Sequence, residues 1–280
     1  MIKDILVLVP TERPARPVID ASIALAATFG ARLDAMAAGF ISSSTAYVVD
    51  GAAGAAVASV IEMELERAAQ RAAAALEVFE AEARNAGIRY ECHRMESVPA
   101  EAADAIGAAA RLYDLSVVLQ PMSEYETFDN TLPKEILFRS GGPVLFVPHI
   151  FRGAFKARRI GICWDGSRLA ARALRDARPF LEQADALLAI SINGTDNLPA
   201  SVSTDRLAKH LARAGLPIKS VDLTAGRSEI QPTILSLAAD ESLDMLVMGG
   251  YGHSRLQEGL LGGVTRAMLQ AMTVPTLMTH

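Results

Sequence analysis

An alternation of short apolar runs and helical segments, repeated twice along the chain, constrains the fold of this 280-residue sequence more than any other feature. The first copy opens with the apolar run at residues 5–9, and the second opens with the run at residues 159–164. Uninterrupted apolar runs of this length are typical of strands that are covered on both faces, as in parallel sheets. Helices between such strands predict β-α-β units and therefore an α/β fold.

Each copy contains five predicted strands. They lie at residues 5–9, 33–40, 88–95, 115–119 and 144–147, and again at 159–164, 187–192, 218–223, 243–248 and 274–278. Apolar residues at helical spacing, together with capping residues, predict the helices between them. These lie at residues 18–29, 62–86, 97–112, 132–139, 168–181, 204–214 and 229–239, and a last helix opens near residue 265.

Two internal echoes indicate a duplication. Residues 137–147 resemble residues 268–278, and residues 115–119 resemble residues 245–248. The repeat of roughly 140 residues is far too long for a solenoid. We therefore predict two tandem doubly wound, Rossmann-like domains at residues 1–149 and 158–280, with a linker at 149–157. Each domain should hold its own five-stranded parallel sheet of strand order 3-2-1-4-5, separate from the other sheet.

The final strand of each copy should lie at the edge of its sheet. An unpaired apolar edge invites aggregation, so we expect residues 144–147 and 274–278 to pair the halves, within one chain or between chains.

A low-charge stretch at residues 35–61 is rich in Ala, Gly, Ser and Val, and Asp50 is its only charged residue. It is either an apolar surface for a partner or ligand, or a long loop followed by the start of a buried helix.

A glycine-rich segment follows the apolar run at residues 245–248 and leads into the last helix. Glycines can take positive φ and let the backbone approach a ligand, and the free N–H groups that open a helix can hold an anion such as phosphate. His253 and Arg255 lie within this loop, where they either meet a phosphate or form a solvated surface. The alternative interpretation of the glycines is a tight turn without a ligand.

The glycine spacing resembles the nucleotide-binding loop of the universal stress protein family, G-x-x-G-x(9)-G-[ST]. The sequence matches it at Gly249, Gly252 and Gly262, but Gly263 stands where the ATP-binding members carry serine or threonine. The resemblance implies a stress-response protein that binds ATP or a related adenine nucleotide, with Mg²⁺ as a candidate counter-ion. The candidate nucleotide-binding residues are Asp165, Gly249, Gly252, His253, Arg255, Gly262, Gly263 and Val264.

Asp165 follows the first strand of the second half, in the turn Trp164-Asp165-Gly166-Ser167. The resemblance implies that it binds the nucleoside. The alternative is local, because Asp165 and Ser167 are both good helix N-cap residues beside a glycine turn. The first half lacks this aspartate and has Glu124 and Glu126 in place of the glycines, so we interpret it as a degenerate copy.

Composition excludes several classes of function. The formal net charge of −5 provides no basic field for nucleic acid or an anionic membrane. Cys92 and Cys163 each lie in a predicted strand, no apolar run is long enough to span a membrane, and no signal peptide is evident, so we expect a cytoplasmic protein. The five histidines lack metal-ligand spacing, and no P-loop or nucleophile elbow occurs.

Three hypotheses follow. The first is a module that binds an adenine nucleotide in its C-terminal half and forms a homodimer, as the resemblance implies. The second is a nucleotide-independent interaction protein whose loops are relics. The third is a slow ATPase or nucleotidyl transferase, although no residue is marked as catalytic.

Overall fold

Ten strands form one sheet in the computed structural model, which describes residues 1–40, 55–96, 99–122, 127–194, 198–251 and 263–280. Their bounds lie close to the predicted ones because most of them are local apolar runs. The strands are β1 (Asp4–Leu8), β2 (Arg32–Gly39), β3 (Tyr90–Glu96), β4 (Leu115–Leu119), β5 (Val144–Val147), β6 (Arg159–Cys163), β7 (Ala186–Ile192), β8 (Lys219–Leu223), β9 (Met245–Gly249) and β10 (Thr276–Thr279).

Helices connect these strands and cover both faces of the sheet. They are α1 (Arg16–Phe29), α2 (Ala55–Asn85), α3 (Pro99–Ala109), α4 (Leu132–Arg139), α5 (Arg168–Asp176), α6 (Arg178–Leu181), α7 (Thr204–Arg213), α8 (Ile230–Asp240) and α9 (Val264–Ala271). Within the described ranges, none of them has the length and apolarity that crossing a membrane requires.

Two helices differ from their predicted form. The helix predicted over residues 168–181 is broken into α5 and α6 at Ala177, because Pro179 has no N–H to continue it. Helix α2 begins at Ala55, seven residues before the expected start at 62, because alanine is the best helix former. The stretch at residues 35–61 therefore contributes to β2 and α2, and its part at 41–54 lies outside the described residues.

The strand order is β3-β2-β1-β4-β5-β10-β9-β6-β7-β8. Each half is parallel and has the predicted order 3-2-1-4-5. The expectation of two separate sheets is wrong, because β5 and β10 pair in antiparallel fashion and join the halves into one sheet. Each strand thereby satisfies backbone groups that a sheet edge would leave unpaired. The predicted pairing of the halves through their last strands is confirmed within the chain, and β3 and β8 form the outer edges.

The apolar core also crosses the junction between the halves. On one face, Leu145 and Leu277 share a buried cluster with residues of both halves, and on the other face Phe146 and Met278 do the same. A polar contact spans the junction as well, since the Gln120 amide nitrogen donates to the carbonyl of Leu269 at 3.0 Å. The two halves thus pack as one body around the β5–β10 junction.

Candidate functional site

The candidate site lies at the carboxyl ends of β6 and β9 in the second half. These strands pair directly, with Ile162 opposite Val247, and the strand order reverses between them. Ligands of open α/β sheets bind at such a reversal, in the crevice beyond the strand ends. The segments after β6 and β9 are the ones in which the sequence predicts binding residues.

After β6 the chain turns into α5 through local hydrogen bonds. The exposed Asp165 accepts the backbone N–H of Ser167 on Oδ1 at 2.9 Å, and Gly166 between them has a φ of 69°. The Ser167 hydroxyl oxygen accepts the N–H of Ala170 at 3.1 Å and caps α5. The capping interpretation is confirmed for Ser167, whereas the nucleoside-binding role of Asp165 stays a prediction.

Cys163 is the last residue of β6 and packs, partly buried, against an apolar cluster. Desolvation, with a further contribution from the carboxylate of Asp165, raises the pKa of the thiol to about 12. The thiolate is the nucleophilic form of cysteine, so this pKa disfavours a nucleophilic role at neutral pH.

Gly249, at the end of β9, is required for a reason that the sequence did not show. It does not have the positive φ that we expected. Instead, a Cβ atom at this position would lie 2.8 Å from the amide nitrogen of Ala170 and 2.9 Å from the carbonyl carbon of Leu169. Only glycine lets β9 approach the first turn of α5 this closely, and this contact holds the two loops of the site side by side.

The two ends of the glycine loop are also held together. The N–H of Tyr251 donates to the hydroxyl oxygen of Thr265 in α9 at 3.2 Å, and Tyr251 has a φ of 54°, unusual for a residue with a side chain. Its ring packs against Phe138 of the first half, with 5.0 Å between centroids. The predicted binding residues Gly252, His253, Arg255 and Gly262 lie outside the described residues.

Helix α9 begins at a glycine. Gly263 is its N-cap residue, with φ −69° and ψ 146°, a conformation open to any residue. Val264 is the first residue of the helix, and no side chain in the described part of the chain accepts a capping hydrogen bond at this end. The first-turn N–H groups, which have no intrahelical partners, are therefore available to an anion.

In the first half, the corresponding crevice beyond β1 is filled by the protein's own side chains. The buried carboxylate of Asp129 accepts the N–H of Thr11 at 3.2 Å and the N–H of Glu12 at 2.7 Å, just beyond β1. Burial raises the pKa of Asp129 despite these donors, and burial followed by the charge of Asp129 raises the pKa of Glu12.

Arg13 completes this internal cluster. Its guanidinium, buried at 9% exposure, donates to the carbonyl of Gln120 at 2.6 Å and to Asn130 at 2.8 Å. The crevice beyond β1 and β4 is therefore occupied by side chains of the first half. We predicted a degenerate copy from Glu124 and Glu126, which lie outside the described residues. Arg13 and Asp129 were missed, because only the fold brings them together.

Sequence reasoning also missed a polar group on β2 and β3. Ligand atoms of Asp34, Glu91 and His93 lie within 4.8 Å of one another, a grouping that could hold a cation. Arg32 already pairs with both carboxylates, at 2.8 Å from Asp34, and the Tyr113 hydroxyl donates to Asp34 at 3.0 Å. We therefore interpret the group as an ion-pair cluster. The sequence alone does not reveal this group, because only the pairing of β2 with β3 places Asp34 opposite Glu91.

The fold and the switch-point loops define the second half as a doubly wound α/β domain with a glycine loop after its fourth strand. Residues 156–280 match the model of the universal stress protein family, beginning near the predicted domain start at 158. Over these residues, the chain is similar to the universal stress protein family.

Individual proteins that resemble this chain are also universal stress proteins. The chain is 28% identical over 137 residues to a universal stress protein of Synechocystis sp., covering 48% of this chain and 46% of the relative. It is 30% identical over 73 residues to one of Methanocaldococcus jannaschii, covering 26% and 43%. The chain thus spans about half the length of these curated relatives. A crystal structure of a universal stress protein from Archaeoglobus fulgidus shares the fold over 98% of this chain and 97% of its own, with 16% identity and a TM-score of 0.70.

Proposed function

We propose that this protein binds ATP or a related adenine nucleotide, with or without Mg²⁺, at the carboxyl ends of β6 and β9, as a cytoplasmic stress-response protein. The observation that carries the proposal is the start of α9 at Gly263, which has no side chain to cap the helix, beside the switch point of a domain similar to universal stress proteins. An open helix N-terminus there suits a phosphate group.

Each candidate residue then has a role. The N–H groups from Val264 onward bind phosphate oxygens, Arg255 adds a positive charge, and His253 adds a ring N–H donor. The exposed carboxylate of Asp165 uses Oδ1 in its turn, so Oδ2 can accept a hydrogen bond from a hydroxyl or amino group of the nucleoside. Residues 1–149 form the degenerate domain, which supports the second half through the β5–β10 junction.

Nucleotide should bind at one site per chain, because Arg13 and Asp129 fill the corresponding position of the first half. Replacing Gly252 with valine should abolish binding without unfolding the protein, since a β-branched side chain keeps the backbone away from phosphate. Isothermal titration calorimetry measures the number of sites per chain and the affinity of each variant. The control is Gly226→Val, because Gly226 has open space around it and a φ of −64°. Two equivalent sites per chain, or full affinity in the Gly252 variant, would contradict the proposal.

Gly263→Ser should tighten ATP binding at least several-fold and affect adenosine less. A serine hydroxyl can donate to a phosphate oxygen, and a hydrogen bond to a charged group contributes about 1.5–3 kcal/mol. The same hydroxyl at an N-cap stabilises the protein by only a few tenths of a kcal/mol relative to glycine. Titrations of ATP and adenosine against both proteins distinguish the two effects. Equal or weaker ATP affinity in the serine variant would mean that phosphate does not occupy this helix end.

A second candidate function, a nucleotide-independent interaction protein, is favoured by the outer part of α2. Val60, Met63 and Leu65 are exposed there at 41–45% of their surface. The two last strands pair with each other within this chain, so a homodimer would need another surface such as this one. A dimer seen by light scattering and disrupted by Met63→Glu, in a protein that binds no nucleotide, would favour this function.

A further inference from the structure

We propose a second ligand site, at the end of β6 opposite the proposed nucleotide site, for a small molecule with an aromatic or short aliphatic body and one carboxylate. The site is a cavity of about 380 Å³ in the cleft between the two halves. Its walls come from the end of α1 in the first half, the linker, and α6 in the second half. Cavities of roughly 300–1,000 Å³ at the junction of domains are typical places for small ligands.

The position separates this cavity from the proposed nucleotide site. Lys156 and Arg158 line the cavity and come directly before β6, whereas Asp165 follows β6. The linker side of the cavity therefore lies at the amino end of β6, and the proposed nucleotide site lies at the carboxyl end of the same strand.

Aromatic rings form the apolar wall. Phe29 and Phe180 meet edge to face with 5.2 Å between centroids, and Phe155 and Phe180 meet edge to face at 6.4 Å. Phe155 and Phe180 are buried, so the wall is held by the core and does not need to form on binding. Such a preformed wall suits a flat or slim apolar group.

The charge at the cavity is carried by Lys156. Arg158 also lines it, but its guanidinium pairs with Asp185 at 2.9 Å. Lys156 is exposed and makes no hydrogen bond or ion pair with any residue in the described part of the chain. One unpaired ammonium beside an apolar cavity favours a ligand with one negative charge next to an apolar body. A nucleoside triphosphate carries several negative charges, which a single unpaired ammonium group does not match.

The test uses 4-phenylbutyrate and its neutral analogue 4-phenylbutanol as probes of the full-length protein. Calorimetry should show saturable binding of the carboxylate and at least several-fold weaker binding of the alcohol. Lys156→Gln should remove this preference, whereas Lys209→Gln, which changes an exposed lysine on α7, should leave it intact. Binding of the two probes with equal affinity to the unaltered protein, or an unchanged preference in Lys156→Gln, would overturn the assignment of the ligand class.

The variant Thr28→Trp tests whether the two probes bind in this cavity. Thr28 is an exposed residue that lines the cavity, so an indole there should block both probes while the circular dichroism spectrum is retained. ATP titration of the same variant should match the unaltered protein, which keeps this test independent of the nucleotide proposal. Undiminished phenylbutyrate binding to Thr28→Trp, or no saturable binding to the unaltered protein, would overturn the site.

Discussion

Replacing Leu277 with alanine should lower the free energy of unfolding of the whole chain by about 2–5 kcal/mol, the range for truncating a fully buried leucine. Leu277 lies in β10 directly opposite Leu145 of β5, and both residues are 0% exposed. Both belong to a cluster built from the two halves. The cavity left by the substitution would thus weaken the packing of both halves against each other.

Urea unfolding followed by circular dichroism measures this effect. The control is Leu112→Ala, because Leu112 is 85% exposed and its loss should change stability by no more than about 0.5 kcal/mol. If the Leu277 variant were as stable as this control, the antiparallel junction between β5 and β10 would not be the packed centre of the molecule.

Gly249→Ala should weaken nucleotide binding tenfold or more and lower stability by about 1–3 kcal/mol, the usual cost of overpacking. The added methyl group would meet the backbone of Leu169 and Ala170, which cannot move away as a flexible side chain can. Strand β9 and helix α5 must then separate, and with them the loops that carry Gly263 and Asp165.

The matched control for this variant is Gly226→Ala, whose added methyl group meets no atom within 4 Å. Calorimetry with ATP and thermal unfolding are measured on both variants. Normal ATP affinity in Gly249→Ala, with the expected loss of stability, would show that the spacing of the two loops does not control binding.

The sequence by itself determined the local structure of this protein. Residues 115–119, 132–139 and 144–147 form β4, α4 and β5 with the predicted bounds. Gly30 ends α1 in the left-handed conformation expected of a C-cap glycine. These features depend on apolar periodicity and capping within a few residues, so they can be read without the fold. The β-α-β pattern also predicted a doubly wound fold, for which we expected the order 3-2-1-4-5 in each half.

Only the tertiary structure decided how the halves meet and which residues complete the site. The pairing of Leu145 with Leu277, the approach of Gly249 to α5, and the filling of the first crevice by Arg13 and Asp129 all join residues far apart in the chain. Glycine in a sequence indicates either a positive φ or a close contact, and the neighbour that requires it becomes visible only when the elements pack. Periodicity reports which face of an element is buried, but the partner of that face is selected by shape and by unpaired backbone groups across the whole molecule.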